Sequence, residues 1–289
     1  QENKIITEFT TVFNHPYFGM TFYNLYLNFI KIDSEKAKKM EKYIKSHEST
    51  IWTPKSFGKW DYAILLIIKD SMDLAEVLSD MKKQFRGMIN DMEFEEILHE
   101  YKFTAKLGKF FEGTKIKPLQ VKKEGSSFYN IIDNEITGVK YDHKKTSVDK
   151  KDVDIIEVIS DNSRASLHEI SNKVKQPIEN VRYRFKKMCE REVIGSFWPT
   201  IDYGLLGWQW YRVRMRTNEI TKEDDQQLKK YILNNQNIFW AARHLGKTDI
   251  HVDLWVRNKN ELNEFLHEFN TEFDKLLIDY EILVMAEQP

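Results

Sequence analysis

Residues 57–68 read FGKWDYAILLII, and residues 245–256 read LGKTDIHVDLWV. In both stretches the pattern Gly-Lys-x-Asp precedes a run of apolar residues, as in a turn that leads into a buried strand. The two glycines, Gly58 and Gly246, are 188 positions apart, and the same offset continues without a gap through the flanking sequence. The chain therefore contains an internal duplication.

Each copy of the duplication shows the same order of elements. In the first copy an alternating, aromatic strand at 22–30 precedes an amphipathic helix that begins near Ser34. A hairpin at 50–68 contains the Gly-Lys-x-Asp turn, and a second helix at 74–85 leads to a strand at 92–101. This β-α-β-β-α-β order predicts an antiparallel four-stranded sheet with two helices on one face.

The repeated turns allow two interpretations. Gly58 and Gly246 give the backbone freedom to turn, while Asp61 and Asp249 can accept hydrogen bonds from nearby amides. Alternatively, the turns approach a ligand or a neighbouring subunit, where a bulky residue would collide. The pattern alone does not separate these roles.

Two tryptophans and the single cysteine are expected to be structural. Trp52 and Trp240 occupy equivalent strand positions, so we predict that both lie in the core. Cys189 lies on a predicted helix without a recognisable cation-rich environment, so we predict an inert thiol.

Residues 104–150 separate the two copies and are basic, because lysines outnumber acidic residues and the apolar runs are short. We predict a linker here, with contact to phosphates as the alternative function.

Residues 151–200 have the pattern of three short helices followed by a wing strand. Ser166 and Glu169 form a capping-box pattern before the second helix. Pro177 is suited to the first position of the third helix, which carries an apolar stripe and an opposite polar, cationic face. In a helix-turn-helix, the helix after the tight turn lies in the major groove and carries cationic side chains on its outer face. The third predicted helix has this position and this face.

Arg, Asn, Gln and Lys on such a helix can read base edges or neutralise phosphates. The predicted DNA-binding residues are Arg164, Gln176, Glu179, Asn180, Arg182, Tyr183, Arg184, Lys186 and Lys187. A small protein-interaction module with a solvated charged face is the alternative interpretation of this segment.

These motifs resemble the Lrp/AsnC (feast/famine) family of prokaryotic transcriptional regulators. Residues 162–171, NSRASLHEIS, and residues 177–188, PIENVRYRFKKM, match the family's helix-turn-helix. Before the wing, Glu192 stands where the family has Gly, so the turn there is expected to differ. The resemblance covers residues 153–287 and, less closely, 4–103.

The resemblance implies an α+β chain in which two ferredoxin-like βαββαβ domains, 1–103 and 201–289, flank a winged helix-turn-helix domain at 151–200. It also implies double-stranded DNA as a partner, sheet-to-sheet pairing of the two copies within the chain, and a homo-oligomer, at least a dimer. An amino acid or other small effector is expected near the turns, at Gly58, Asp61, Gly246 and Asp249.

The first copy begins with the counterpart of a wing strand. We therefore hypothesise that this chain is the C-terminal part of a tandem regulator whose first helix-turn-helix precedes residue 1.

Composition leaves little support for catalysis. Lys plus Arg (44) nearly cancels Asp plus Glu (45), one cysteine excludes an internal disulfide, and no metal-ligand spacing, phosphate loop or nucleophile motif occurs. We predict no catalytic residue, no metal and no cofactor. No membrane span or signal peptide is recognisable, which predicts a cytoplasmic protein without a membrane partner.

Two other functions remain as alternatives. One is a ligand-binding or assembly protein whose helix-turn-helix does not read DNA. The other is an enzyme similar to sirohaem decarboxylases, which resemble this chain in architecture and need cationic and histidine side chains. Arg243, His244 and His251 could serve, although the first copy has Lys55, Ser56 and Ala63 at the equivalent positions.

Overall fold

The computed structural model describes residues 6–13, 15–30, 34–103 and 148–286. The predicted linker, residues 104–150, lies outside the described residues except for positions 148–150. Two compact units are present: one comprises residues 1–18 and 104–206, and the other comprises residues 19–103 and 207–289. We refer to them as unit 1 and unit 2. The first copy is residues 19–103 of unit 2, and the second copy is residues 207–286.

The elements of the described residues are numbered in chain order. The helices are α1 (Ser34–Ser46), α2 (Ser71–Gln84), α3 (Lys150–Asp161), α4 (Leu167–Val174), α5 (Ile178–Glu190), α6 (Lys222–Asn234) and α7 (Lys259–Glu272). The strands are β1 (Ile6–Phe13), β2 (Thr21–Phe29), β3 (Thr50–Trp52), β4 (Lys55–Phe57), β5 (Tyr62–Ile68), β6 (Ile89–Phe103), β7 (Ile194–Ile201), β8 (Gln209–Thr217), β9 (Ile238–Leu245), β10 (Ile250–Val256) and β11 (Leu277–Ala286).

Unit 1 contains α3, α4 and α5 and a two-stranded antiparallel ribbon of β1 and β7. Its core includes Ile155, Ile170, Val181 and Phe185, whose apolar spacing brings one face of each helix inward. β1, the predicted remnant of a wing strand, also contacts α3, because the Thr11 hydroxyl donates to the carbonyl of Ile159 at 2.9 Å.

The ends of these helices follow their sequence signals. Asp149 caps α3 with a capping box, and Ser166 and Glu169 form the predicted one at α4. Pro177 was predicted to be the first residue of α5, but it is the N-cap, and the helix begins at Ile178. The proline side chain makes no cap hydrogen bond. Glu192, after α5, has a φ of 60°, in the left-handed region that favours glycine.

Unit 2 contains one antiparallel sheet to which both copies contribute. The first copy has the order β6-β2-β5-β3, and the second has the order β11-β8-β10-β9. β6 pairs with β9 and β11 pairs with β4, so each copy's last strand joins the other copy's hairpin. Because β2 also pairs with β5, the strands form a continuous ring. The α+β class is confirmed.

Each copy has its own hydrophobic core beneath its two helices. In the first copy, α1 and α2 pack with Met40 and Val77 against Leu25 and Leu27 of β2. In the second copy, α6 and α7 pack on β8 and β10 in the same manner. The alternate residues of these strands point away from the helices, towards the other copy.

The two tryptophans at equivalent positions differ. Trp240 is buried, as predicted, but the prediction for Trp52 was wrong, because Trp52 is 37% exposed. Its indole stacks on Trp210, with ring centroids 4.9 Å apart. Strand β3 ends at Trp52, so the ring lies at the edge of its copy.

Candidate functional site

Helix α5 has one buried face and one solvent face. Val181, Phe185 and Met188 are buried in the unit 1 core. Their spacing turns Tyr183, 63% exposed, and Lys186 outward. The exposed predicted residues on this helix are Glu179, Asn180, Arg182, Tyr183 and Lys186, with Arg184 and Lys187 half-buried beside them.

Several cations of α5 already have carboxylate partners. Arg182 Nη1 lies 2.7 Å from both carboxylate oxygens of Glu179, one turn earlier. Lys187 Nζ lies 2.8 Å from Glu190, and Lys186 Nζ lies 3.8 Å from the same carboxylate. The hydrogen bond to Glu190 raises the pKa of Lys187. Much of the positive charge of α5 is therefore balanced by carboxylates of the same helix.

Arg184 connects two helices rather than facing solvent alone. Its guanidinium lies 2.9 Å from Asp149 and 2.7 Å from Asp152, at the start of α3. Hydrogen bonds to Asp152 and Asp149 raise the pKa of Arg184 above its ordinary value. All of these hydrogen bonds use Nη1 of Arg184.

The two remaining predicted DNA-binding residues lie at the edges of α4. The Arg164 guanidinium stacks over the Phe9 ring of β1, 4.7 Å from its centroid. Gln176 lies half-buried in the turn between α4 and α5, where its backbone carbonyl accepts a 2.6 Å hydrogen bond from the Ser171 hydroxyl. That turn reverses through Lys175, whose φ is 52°.

The repeated turns of unit 2 approach the opposite copy. A Cβ added to Gly246 would lie 2.4 Å from Glu95 Cγ, and one added to Gly58 would lie 3.4 Å from the Ile282 carbonyl. Gly58 also has a φ of 129°, which side chains disfavour. Close approach to the other copy therefore explains Gly246, whereas the backbone conformation explains Gly58.

The aspartates of the turns accept hydrogen bonds from a neighbouring strand. Asp61 Oδ2 accepts from the Phe29 amide, and Asp249 Oδ2 accepts from the Thr217 amide, both at 2.7 Å. Phe29 and Thr217 end β2 and β8, at equivalent positions. Each aspartate thus ties its turn to the end of the neighbouring strand, as the structural interpretation of the pattern expects.

The lysines of the two turns converge on one carboxylate. Lys59 Nζ lies 3.8 Å and Lys247 Nζ lies 3.4 Å from Glu93 Oε2. Glu93 belongs to the first copy and also forms an ion pair with Arg214 of the second. The repeated Gly-Lys-x-Asp pattern thus places charge where the two copies meet.

A chain of buried hydrogen bonds crosses between the copies. Arg212 Nη1 lies 3.3 Å from the Tyr26 hydroxyl, which lies 3.2 Å from His251 Nδ1. His251 Nε2 lies 2.7 Å from the Thr248 hydroxyl, which donates to Glu95 at 2.7 Å. His251 Nε2 also lies 2.8 Å from Glu95 Oε2. A neutral His251 with its proton on Nε2 satisfies this chain, because Nδ1 then accepts from the Tyr26 hydroxyl and Nε2 donates towards Thr248 and Glu95.

Burial lowers the pKa of His251 well below its ordinary value, and the charges of Arg214 and Arg212 lower it further. His244 stacks on His251 with ring centroids 3.6 Å apart, and burial lowers its pKa as well. His244 Nδ1 donates to the Ala242 carbonyl at 3.2 Å, so Nε2 is left to accept from Asn24 at 2.9 Å. Both imidazoles are therefore neutral at pH 7.

The structure brings together two of the three residues considered for an enzyme. His244 and His251 meet, whereas Arg243 lies 3.9 Å from Asp225 of α6. The arginines beside the histidines are instead Arg212 and Arg214, which sequence reasoning missed. Their alternation in β8, RVRMR, marks one strand face, but it does not distinguish solvent from a second sheet.

Two further findings concern absences. Among residues 6–13, 15–30, 34–103 and 148–286, no group of three or more His, Cys, Asp or Glu could hold a metal ion. Within the same ranges no helix is long and apolar enough to cross a membrane. Burial raises the pKa of the Cys189 thiol to about 12, which keeps it protonated and fits the predicted inert role.

Residues 148–194 match the winged helix-turn-helix DNA-binding family. Over 132 residues the chain is 27% identical to an uncharacterised HTH-type transcriptional regulator of Pyrococcus furiosus, in a match that covers 45% of this chain and 84% of the relative. The resemblance to Lrp/AsnC-type regulators is confirmed.

The family match spans α3, α4, α5 and the start of β7, so unit 1 carries a winged helix-turn-helix. Among solved structures, the siroheme decarboxylase NirDL aligns with 98% of this chain and 76% of its own, with 9% identity and a TM-score of 0.61. That likeness concerns the fold alone. The E. coli AsnC structure aligns with 50% of this chain and 95% of its own, with 16% identity and a TM-score of 0.42.

Proposed function

We propose that this Lrp/AsnC-type regulator reads double-stranded DNA with α5 and that the duplicated unit 2 senses a small molecule. The observation that carries the DNA proposal is the division of α5 into a buried apolar stripe and an outward face with Asn180, Arg182, Tyr183 and Lys186. Asn180 and Tyr183 lie in the first two turns of α5, the end that a recognition helix directs at base edges.

The ion pairs assign different roles to the cations. Lys186 and Lys187 share one carboxylate, Glu190, so at least one of them is available to a phosphate. The ion pair with Glu179 orients the Arg182 guanidinium, and we propose that this group donates to the edge of a guanine. Arg184 positions α5 on α3.

The test is replacement of both lysines, Lys186→Ala with Lys187→Ala. Loss of two phosphate contacts should weaken binding to every duplex and lower the slope of log affinity against log salt by about 2. The control is Lys229→Ala with Lys230→Ala, another exposed adjacent pair, on α6 of unit 2. Fluorescence anisotropy at several salt concentrations measures both. An unchanged slope would remove α5 as the reader.

The sensing proposal rests on where the repeated turns lie. Gly246 packs on β6 and Gly58 packs on β11, at the two places where the copies join. A small molecule at Gly58, Asp61, Gly246 or Asp249 would therefore change how the copies meet. Amino acids added singly to the anisotropy assay should shift DNA affinity, and the Asp249→Asn variant should lose that shift.

An enzyme similar to sirohaem decarboxylases is the second candidate, and the stacked pair of His244 and His251 favours it. Against it, Arg212 is already paired with Asp253, and Arg214 is paired with Glu93, Glu95 and Glu281. These arginines would have to exchange partners to hold the carboxylates of a tetrapyrrole. Absorbance near the Soret wavelength after addition of such a pigment distinguishes the two candidates.

A further inference from the structure

The interior faces of the two copies in unit 2 differ in charge. The first copy contributes Asn24, Tyr26, Glu93 and Glu95, which include two carboxylates and no cation. Arg212, Arg214, His244, His251 and Asp253 come from the second copy. All of these side chains except that of Glu93, which is 13% exposed, are buried or nearly so.

Tyr26 and Arg214 occupy equivalent positions of the duplication, and they contact each other. The Arg214 guanidinium carbon lies 3.9 Å from the centroid of the Tyr26 ring. Equivalent residues that touch must lie at the approximate twofold axis that relates the copies. In a pair of like copies, the same position would therefore bring Arg214 against Arg214, or Tyr26 against Tyr26.

The carboxylates show the same asymmetry. Arg214 lies 3.1 Å from Glu95 and 2.6 Å from Glu281, and it also contacts Glu93. Glu93 and Glu281 are equivalent, but the position equivalent to Glu95 is Leu283. In two second copies, two arginines would face each other with only the Glu281 carboxylates between them and no counterpart of Glu95. In two first copies, Glu93 and Glu95 from both sides would come together without an arginine, and the nearby cation would be the partly exposed Lys59.

We propose that these faces form a heterotypic lock, in which the first copy binds the second copy and rejects its own kind. Buried like charges that face each other without enough opposite charge are strongly unfavourable, which provides the selectivity. The partner of either face is an unlike copy, whether from the same chain or from a second one. Contacts between chains that do not exchange copies must then use other surfaces.

The test exchanges the two axial residues in the full-length chain. Tyr26→Arg alone makes the first face like the second, and Arg214→Tyr alone makes the second like the first. Each single variant should lower the midpoint of thermal unfolding of unit 2 by roughly 10 °C or prevent folding. The double variant restores an unlike pair in which Glu93 and Glu281 flank the new arginine, but Arg212, 3.3 Å from the Tyr26 hydroxyl in the wild type, would lie beside it. The double variant should therefore be more stable than either single variant without regaining the stability of the wild type.

Tryptophan fluorescence reports unit 2 selectively, because six of the seven tryptophans belong to it. A folded double variant that is no more stable than the single variants would overturn the proposal. If the single variants do not fold, a second double-mutant cycle with smaller substitutions decides. In that cycle, Glu95→Gln and Arg214→Gln should together lower the midpoint by clearly less than the sum of their separate shifts. Additive shifts would overturn the lock.

The control cycle uses Arg216→Gln and Asp279→Asn, an exposed ion pair within the second copy at 2.6 Å. Its shifts should add, because exposed pairs contribute little. Equal coupling in the two cycles would also contradict the proposal, since it would show no special role for the contact between copies.

Discussion

At the scale of single residues, Glu192 is held in a conformation that suits another amino acid. The Val193 amide donates to the Met188 carbonyl at 2.9 Å and the Glu192 amide donates to the Cys189 carbonyl at 3.0 Å. This pair of bonds closes a helix with the Schellman pattern, whose left-handed position is most often glycine. The turn before the wing was expected to differ because Glu192 replaces a glycine. It has instead the usual geometry of a helix end, with a residue that disfavours the left-handed conformation.

Glu192→Gly should stabilise unit 1 by about 1 kcal/mol, because it removes the left-handed penalty of a side chain. Hydrogen exchange of α3–α5 peptides should slow about fivefold. Glu190→Gly is the matched control, since the same change inside α5 should destabilise by about 1 kcal/mol. Equal effects of the two substitutions would contradict this explanation.

The buried histidines predict how unit 2 responds to acid. Burial lowers the pKa of His244 and His251 well below 6.5. Below about pH 6.5 the unfolded chain takes up protons that the folded chain does not, so stability is lost as pH falls. The free energy of unfolding should decrease by up to about 1.4 kcal/mol per histidine for each pH unit.

Urea unfolding followed by tryptophan fluorescence at pH 7, 6 and 5 measures this slope. His244→Gln should reduce the slope by the contribution of one histidine. A slope that does not change in this variant would mean that His244 is not neutral in the folded protein.

At the scale of elements, the long strand β6 is anchored on the second copy. Lys102, near its end, is buried and donates to the carbonyls of Ile232 and Asn235 at 3.1 and 2.7 Å. These carbonyls lie at the C-terminal end of α6, where the helix dipole favours a cation. The residue joins β6 to a helix of the other copy.

Lys102→Met keeps the length of the side chain but removes both hydrogen bonds, so it should destabilise unit 2 by about 2–3 kcal/mol. Lys229→Met, on the exposed side of α6, should change the unfolding midpoint little. A midpoint equal to that of wild type in Lys102→Met would show that the cap contributes nothing.

Elements were well predicted where local signals are strong. The capping box at Ser166, the 3.6-residue period of α5 and the repeated hairpins each depend on nearby residues alone. Which side chains are buried between the two copies of unit 2 could not be predicted, because this depends on which faces of the two sheets contact each other. Arg212 and Arg214 alternate with apolar residues as they would on a solvent-facing strand, so only the position of the other copy reveals their burial.

At the scale of the whole molecule, the duplication allows the two copies to diverge. Two identical copies would have to satisfy the same charges on both sides of the approximate twofold axis. In this chain Arg212 and Arg214 both lie on the second copy, whereas their carboxylate partners are divided between the copies, with Glu93 and Glu95 on the first and Asp253 and Glu281 on the second. This division ties the interior to one pairing. Helix α5, which we propose reads DNA, lies in unit 1, which has its own core.

The proposed function of this chain is sequence-specific binding of double-stranded DNA. The most direct measurement is an anisotropy titration with the duplex upstream of its own gene and a shuffled duplex, at 50 and 200 mM salt. Because α5 balances much of its own charge, we expect weak, salt-sensitive binding to the shuffled duplex and a preference for the upstream duplex that persists at the higher salt. Equal affinity for both duplexes at both salt concentrations would contradict the account.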